Sequence, residues 1–165
     1  MSNKFWTTTH ASSATDEWAT PIAYYNTLAK EFNFTLDVSA LSTSHKAPNW
    51  YGPDHQDPNR RDGLAQDWAG DAGTGVVWMN PPYGRTIGYW MRKAVEESDR
   101  GATVVCLVPS RTDTAWFQDT ALARQTIGRA EIRFIRGRLK FGTATNSAPF
   151  PSALIIFKPQ TGAVS

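Results

Sequence analysis

The sequence contains one cysteine, Cys106, among 165 residues. It lies in the apolar run ATVVCLVP at 102–109, so a disulfide framework is excluded and the thiol reads as a buried filler in a reduced protein. Histidine is scarce too. His10, His45 and His55 are scattered through polar stretches with no compact His/Cys/Asp grouping, and no metal site is expected. No apolar run reaches the length of a bilayer span, and the start MSNKFWTTTHASSATDEW lacks the apolar core of a signal peptide, which leads to the expectation of a cytoplasmic protein with no membrane partner. A formal charge of +2, from 17 basic and 15 acidic side chains, is too small to imply a nucleic-acid partner by itself.

The length fits one domain, long enough to remove about two-thirds of the unfolded chain's surface from water. The polar, Thr- and Ser-rich residues 1–15 are expected to form a flexible arm, 16–160 a single domain and 161–165 a short tail. Thr20 before Pro21 reads as a hydroxyl cap with proline in the first helical position, opening a helix through about Phe32. FTLDV at 34–38 reads as a strand that delivers Asp37 near its carboxyl end. The next stretch, SALSTSHKAPNWYGPDHQDPNR, has no period and is expected to be a long functional loop. DGLAQDW at 62–68 reads as a short turn of structure before a glycine-rich corner, GDAGTG at 70–75, and 75–79 as a strand.

Residues 86–100 carry a helical stripe of Ile87, Trp90, Met91, Ala94 and Val95. GATVVCLVPS at 101–110 is continuously apolar, as a parallel strand covered on both faces should be. A helix capped by Thr112 or Asp113 and strands at AEIRFI and SALIIFKP complete the pattern. This order predicts an α/β domain of layered helices on a mostly parallel sheet, with an antiparallel end. Ligands of such folds bind beyond the carboxyl ends of the strands, where Asp37, Asn80 and Pro109-Ser110-Arg111 all fall.

Asn80-Pro81-Pro82-Tyr83 is the sharpest motif. Two prolines cannot continue a strand, so they hold an amide and an aromatic ring on either side of a stiff corner. The Asn80 oxygen and the Pro81 carbonyl can both accept hydrogen bonds from one exocyclic amine while Tyr83 stacks on the attached ring. Acceptors that favour a pyramidal nitrogen localise its lone pair and support the positive charge that develops during methyl transfer. S-adenosylmethionine is the natural electrophile for such a site. A base in DNA must first rotate out of the stack to reach it. The motif alone leaves adenine N6, cytosine N4, an RNA base and a protein amide open, and a non-catalytic DNA-binding remnant is the reading from another class.

Seven stretches, DEWATP at 16–21, FTLDVSA at 34–40, DGLAQDW at 62–68, VWMNPPYG at 77–84, LVPSRTDTAWF at 107–117, IRFIRGRLKFG at 132–142 and APFPSALIIF at 148–157, carry a resemblance over nearly the whole chain. The chain resembles the small phage-type DNA N6-adenine methyltransferases, the Dam-like family. The resemblance implies a compact variant of the three-layer S-adenosylmethionine-dependent methyltransferase sandwich, acting on double-stranded DNA in the host cytoplasm if phage-encoded, with no obligate protein partner. It also implies that Asn80, Pro81, Pro82 and Tyr83 form the catalytic motif. Asp37 to Ala40 correspond to an abbreviated cofactor motif, with Thr20, Pro21 and Asn80 nearby. No glycine-rich loop follows Asp37, so Ser39 and Ala40 take the place of small residues approaching the cofactor.

Among the remaining candidates, Asp37 suits the methionine ammonium or a hydroxyl, and Asp62 a ribose hydroxyl or the cofactor's adenine amino group. Trp18 and Trp50 could cover the cofactor or a flipped base. Residues 124–140 hold six basic groups and one acid, Glu131. Within RFIRGRLKFG, Phe134, Ile135 and Phe141 are expected to pack inward while the arginines face DNA. Arg111, Arg136, Arg138 and Lys140 are the expected phosphate contacts.

Overall fold

A computed structural model describes residues 18–161. The arm expected over 1–15 and most of the tail expected over 161–165 lie outside the described residues. The elements are α1 (Ile22–Ala29), β1 (Phe34–Asp37), β2 (Asn49–Trp50), α2 (Trp68–Ala72), β3 (Val76–Met79), α3 (Ile87–Asp99) and β4 (Thr103–Pro109). A π-helical segment, Phe117–Leu122, then runs into α4 (Ala123–Thr126), followed by β5 (Ala130–Phe134) and β6 (Ser152–Phe157). The strand order is β2-β1-β3-β4-β6-β5. Neighbours from β2 to β4 are parallel, and β6 pairs antiparallel with both β4 and β5, so β5 runs parallel to β4. Among the described residues no helix is long and apolar enough to cross a membrane.

Both faces of the sheet are covered, as continuous apolar strands require. One face presents Val77, Met79, Val104, Cys106, Ile155 and Phe157 to Trp68, Trp90, Met91 and Phe117 of the helices. The other presents Trp78, Val105, Leu107, Leu154 and Ile156 to Tyr25 and Leu28 of α1 and to Phe141 and Ala148 of the segment before β6. Each fully buried side chain of this size contributes about 2 kcal/mol of hydrophobic stabilisation. A register shift between Phe34 and Leu36 lets these two residues face opposite cores, against simple alternation. Cys106 is buried and free.

Several local expectations need correction. Helix α1 stops at Ala29 rather than Phe32, because Phe32 leaves the helical path to pack its ring against Phe34 at 5.7 Å. Pro21, not Thr20, is the residue flanking the helix, and no side chain caps it. The glycine-rich stretch begins as helix α2, because the Asp67 carboxylate accepts the Gly70 N–H at 3.0 Å and Trp68 is fully buried. The helix after β4 has no Thr112 or Asp113 cap, and its middle widens to a π-helix.

Phe134 does not pack inward but is 63% exposed. Strand alternation puts it on the same face as Ala130 and Ile132, but at the carboxyl end of the outermost strand, beyond the helical cover. Ile135 and Phe141 do join the opposite core.

Candidate active site

Asp37 ends β1 and is 3% exposed. Burial pushes its carboxyl from the ordinary 3.8 up to about 6, opposed by two backbone N–H groups that it accepts, Lys46 at 2.9 Å and Ser39 at 3.3 Å. Ser39 in turn donates its hydroxyl to the Asn80 main-chain carbonyl at 2.7 Å, and the Val38 N–H bonds the Trp78 carbonyl at 3.1 Å. The ends of β1 and β3 are thereby tied together.

The segment after β1 is long but ordered. Ala40 N–H bonds the Tyr51 carbonyl at 2.9 Å, and Gly52 N–H the Arg60 carbonyl at 3.1 Å. Two glycines allow it to lie against the strand ends. A Cβ on Gly52 would stand 1.8 Å from the Ala40 carbonyl oxygen, and one on Gly63 2.1 Å from that of Val38. Trp50 packs between His45, at 5.2 Å, and His55, at 4.4 Å.

A cleft of about 290 Å³ opens at this edge, lined by Thr20, Asp37, Ser39, Lys46, Asn80 and their neighbours Ala19, Ala40, Ser44 and Trp78. The Thr20 hydroxyl is the informative member. Its side-chain oxygen is buried with no hydrogen-bond partner, in a residue only 4% exposed. Buried hydroxyls are almost always paired, so an unpaired one on a cleft wall is suited to a ligand. An orphan hydroxyl, a carboxylate, a second hydroxyl and a lysine in one small cleft fit the amino-acid end of S-adenosylmethionine.

Asn80 joins this cleft to the aromatic corner. Its amide nitrogen donates to the Trp18 carbonyl at 2.7 Å, and its amide oxygen accepts the Tyr83 hydroxyl at 2.6 Å. The Tyr83 hydroxyl also lies 3.1 Å from the Leu107 carbonyl. Burial raises the Tyr83 pKa well above its usual value, so the phenol stays protonated and remains a donor. The Asn80 oxygen keeps a second lone pair, and among the described residues nothing donates to the Pro81 carbonyl. Around the Tyr83 ring stand Trp18 at 6.2 Å and 25°, Phe141 at 6.1 Å and Phe150 at 5.7 Å. The ring on which a base was expected to stack thus already has Trp18 stacked against it. Gly142 N–H, bonded to the Ala19 carbonyl at 2.8 Å, helps hold that segment in place.

Residues 7–164 match the family model described as DNA N-6-adenine-methyltransferase (Dam). The chain belongs to this family. Two proteins described as DNA N-6-adenine-methyltransferase are similar to it. The one from Haemophilus phage HP1 (strain HP1c1) is 29% identical over 150 residues, covering 88% of this chain and 80% of its own length. The one from Escherichia phage T1 is 29% identical over 150 residues, covering 89% of this chain and 56% of its own length. Membership of the Dam family implies dependence on S-adenosylmethionine in general terms.

Of the residues singled out for this Dam-family site, Thr20, Asp37, Ser39, Ala40 and Asn80 meet on one cleft, with Trp18 and Tyr83 at its Asn80 side. Pro21 adjoins Thr20, and Pro81 and Pro82 form the corner. Asp62 lies apart from the lining and accepts the Leu64 N–H at 3.1 Å, capping a single 3₁₀ turn. Arg111, Arg136, Arg138 and Lys140 are exposed beyond the carboxyl ends of β4 and β5, and among the described residues none has an ion-pair partner. Lys46 and Ser44 are lining residues that the sequence did not single out. They come from an aperiodic segment, and no spacing signal marks them. Among the described residues no cluster of three metal-ligating side chains occurs.

Proposed function

We propose that the protein is an S-adenosylmethionine-dependent DNA adenine-N6 methyltransferase acting, in the cytoplasm, on an adenine rotated out of double-stranded DNA. The observation that carries this reading is the double placement of Asn80, which lines the cleft of Asp37 and Thr20 and is bonded to the Tyr83 hydroxyl. The sheet order supports the finer fold assignment to a compact three-layer methyltransferase sandwich. The names of the phage relatives support adenine as the base and DNA as the polymer.

Asp37, Thr20, Ser39 and Lys46 hold the methionine end of the cofactor, and Ala40 permits its close approach. S-adenosylmethionine, when bound, supplies the electrophilic methyl group. The second lone pair of the Asn80 oxygen and the Pro81 carbonyl accept the hydrogens of the adenine amine, which turns its lone pair away from the ring. The bond from the Asn80 amide nitrogen to Trp18 fixes which end of the amide is presented. Pro81 and Pro82 keep the acceptors from relaxing, so little reorganisation accompanies reaction. Tyr83, with its aromatic neighbours, gives the extruded base a π-rich surface that recovers about 1–3 kcal/mol of the unstacking cost. Arg111, Arg136, Arg138 and Lys140 bind phosphates.

Incubation with methyl-labelled S-adenosylmethionine and duplex DNA, followed by nucleoside analysis, tests this. Label is expected in N6-methyladenine. Label in N4-methylcytosine would overturn the choice of base, and unlabelled DNA beside labelled RNA or protein would overturn the choice of polymer.

A further inference from the structure

Helix α3 carries its charges in an arrangement that helix stability does not favour. At its carboxyl end Arg100 is neutralised by Glu97 at 2.9 Å and Asp67 at 3.1 Å. Near its amino end the sequence from 80 to 92 holds Arg85 and Arg92 and no acid, and neither arginine has an ion-pair partner among the described residues. The first turn contains no acidic residue. The amino end of a helix is its positive pole, so the unneutralised Arg85, next to the Thr86 N-cap, is locally unfavourable by a few tenths of a kcal/mol to about 1 kcal/mol, while Arg92 lies one turn further on. Between them Tyr89 is 52% exposed, with the Arg92 guanidinium carbon 4.9 Å from the ring centroid.

These groups adjoin the catalytic corner. Arg85 follows Tyr83 by two residues, so their Cα atoms are at most about 7.6 Å apart. Helical side chains lean toward the amino end, which turns Tyr89 and Arg92 toward the same edge of the sheet. Consistent with that lean, an Arg92 terminal nitrogen comes within 3.9 Å of where a Cβ on Gly88 would stand.

Resting on the methyltransferase reading above, we propose that Arg85, Tyr89 and Arg92 form a second DNA contact, gripping the sugar-phosphate backbone that flanks the extruded base. Two guanidiniums without ion pairs among the described residues match the phosphate charge, and an exposed ring carrying a cation matches the face of a sugar or an unstacked base. Such contacts fix register and strength of binding without reading sequence.

The test is fluorescence anisotropy of a labelled duplex over a salt series, with the intact chain and the variants Arg85→Ala, Tyr89→Ala and Arg92→Ala. Cofactor affinity by calorimetry serves as the folding control. Each arginine variant is expected to raise Kd about five- to ten-fold and to reduce the slope of log K against log salt by about 0.9. Tyr89→Ala should raise Kd with the slope unchanged, and Arg133→Ala, which removes an already neutralised cation, should change neither. Duplex binding by all three variants with the affinity and slope of the unmodified chain would overturn this contact while leaving the function intact. Failure of the unmodified chain to bind duplex would overturn both, and is recognised because it appears before any substitution.

Discussion

Around β1 and β2 the carboxyl edge of the sheet is laced to its own loop, with Asp37 bonded to Ser39 and Lys46, Ser39 to Asn80, and Ala40 to Tyr51. Beyond β4 and β5 the same edge carries exposed Arg111, Arg136, Arg138 and Lys140 without ion pairs among the described residues, on segments with no regular structure. At the opposite edge and flank Arg124 and Arg129 are held by Asp99, and Arg133 by Glu31 and Glu131. Arg124, Arg129 and Arg133 are therefore neutralised, whereas the four basic groups beyond β4 and β5 are not. A small molecule is best recognised by fixed groups, because ordering loose ones costs affinity. A polymer of phosphates is bound by many independent cations, each of modest effect. On the function proposed above, the laced half serves the cofactor and the free half DNA, with Asn80 between them.

Removing the junction should have the largest effect. Asn80→Ala is expected to lower kcat about 10²- to 10³-fold, the usual consequence of losing a pre-placed acceptor or donor. A fold retained by circular dichroism is the condition for reading it. Near-normal turnover would break the link between the two halves.

Asp37→Asn comes next, with cofactor affinity expected to fall about ten- to one-hundred-fold by calorimetry while duplex affinity without cofactor is unchanged. The pH dependence sharpens the same point. The carboxyl titrates near 6 in the folded chain and near 3.8 when unfolded, so its protonated form favours the fold. That contribution is fully present below pH about 4 and is lost as pH rises through 6, on the order of 3 kcal/mol. The difference in stability between unmodified chain and Asp37→Asn across pH 4–7 should show it, and cofactor affinity of the unmodified chain should climb over the same window as the carboxylate forms.

The smallest effect belongs to the free half. The double variant Arg136→Ala with Arg138→Ala should weaken duplex binding about ten-fold, with the salt slope lower by about 1.8, and leave cofactor affinity alone. A loss of cofactor binding instead would erase the division.

What could be read from sequence follows the same division of forces. The strands were legible because continuous runs such as 103–109 and 152–157 are buried on both faces. The corner at 80–83 was legible because two prolines admit few geometries. The segment 39–61 was not, since its order comes from single hydrogen bonds to distant carbonyls and from glycines tolerating close contact, neither of which leaves a period. Lys46 was missed for that reason. Thr20 looked like a cap, yet its hydroxyl is buried without a partner in a residue that lines the cleft. Phe134 looked like core because alternation says which face a residue occupies, not how far along the strand the covering layer extends.

The strand nearest the carboxyl end of the chain, β6, is inserted between β4 and β5. Until residues 152–157 have left the ribosome, β5 has no neighbour through which to join the sheet, and Leu107 and Cys106 lack their partners Leu154 and Ile155. Closure of the central sheet then waits for the last of its six strands, and a nascent chain stalled before Ser152 holds an open, adhesive strand for chaperones to cover.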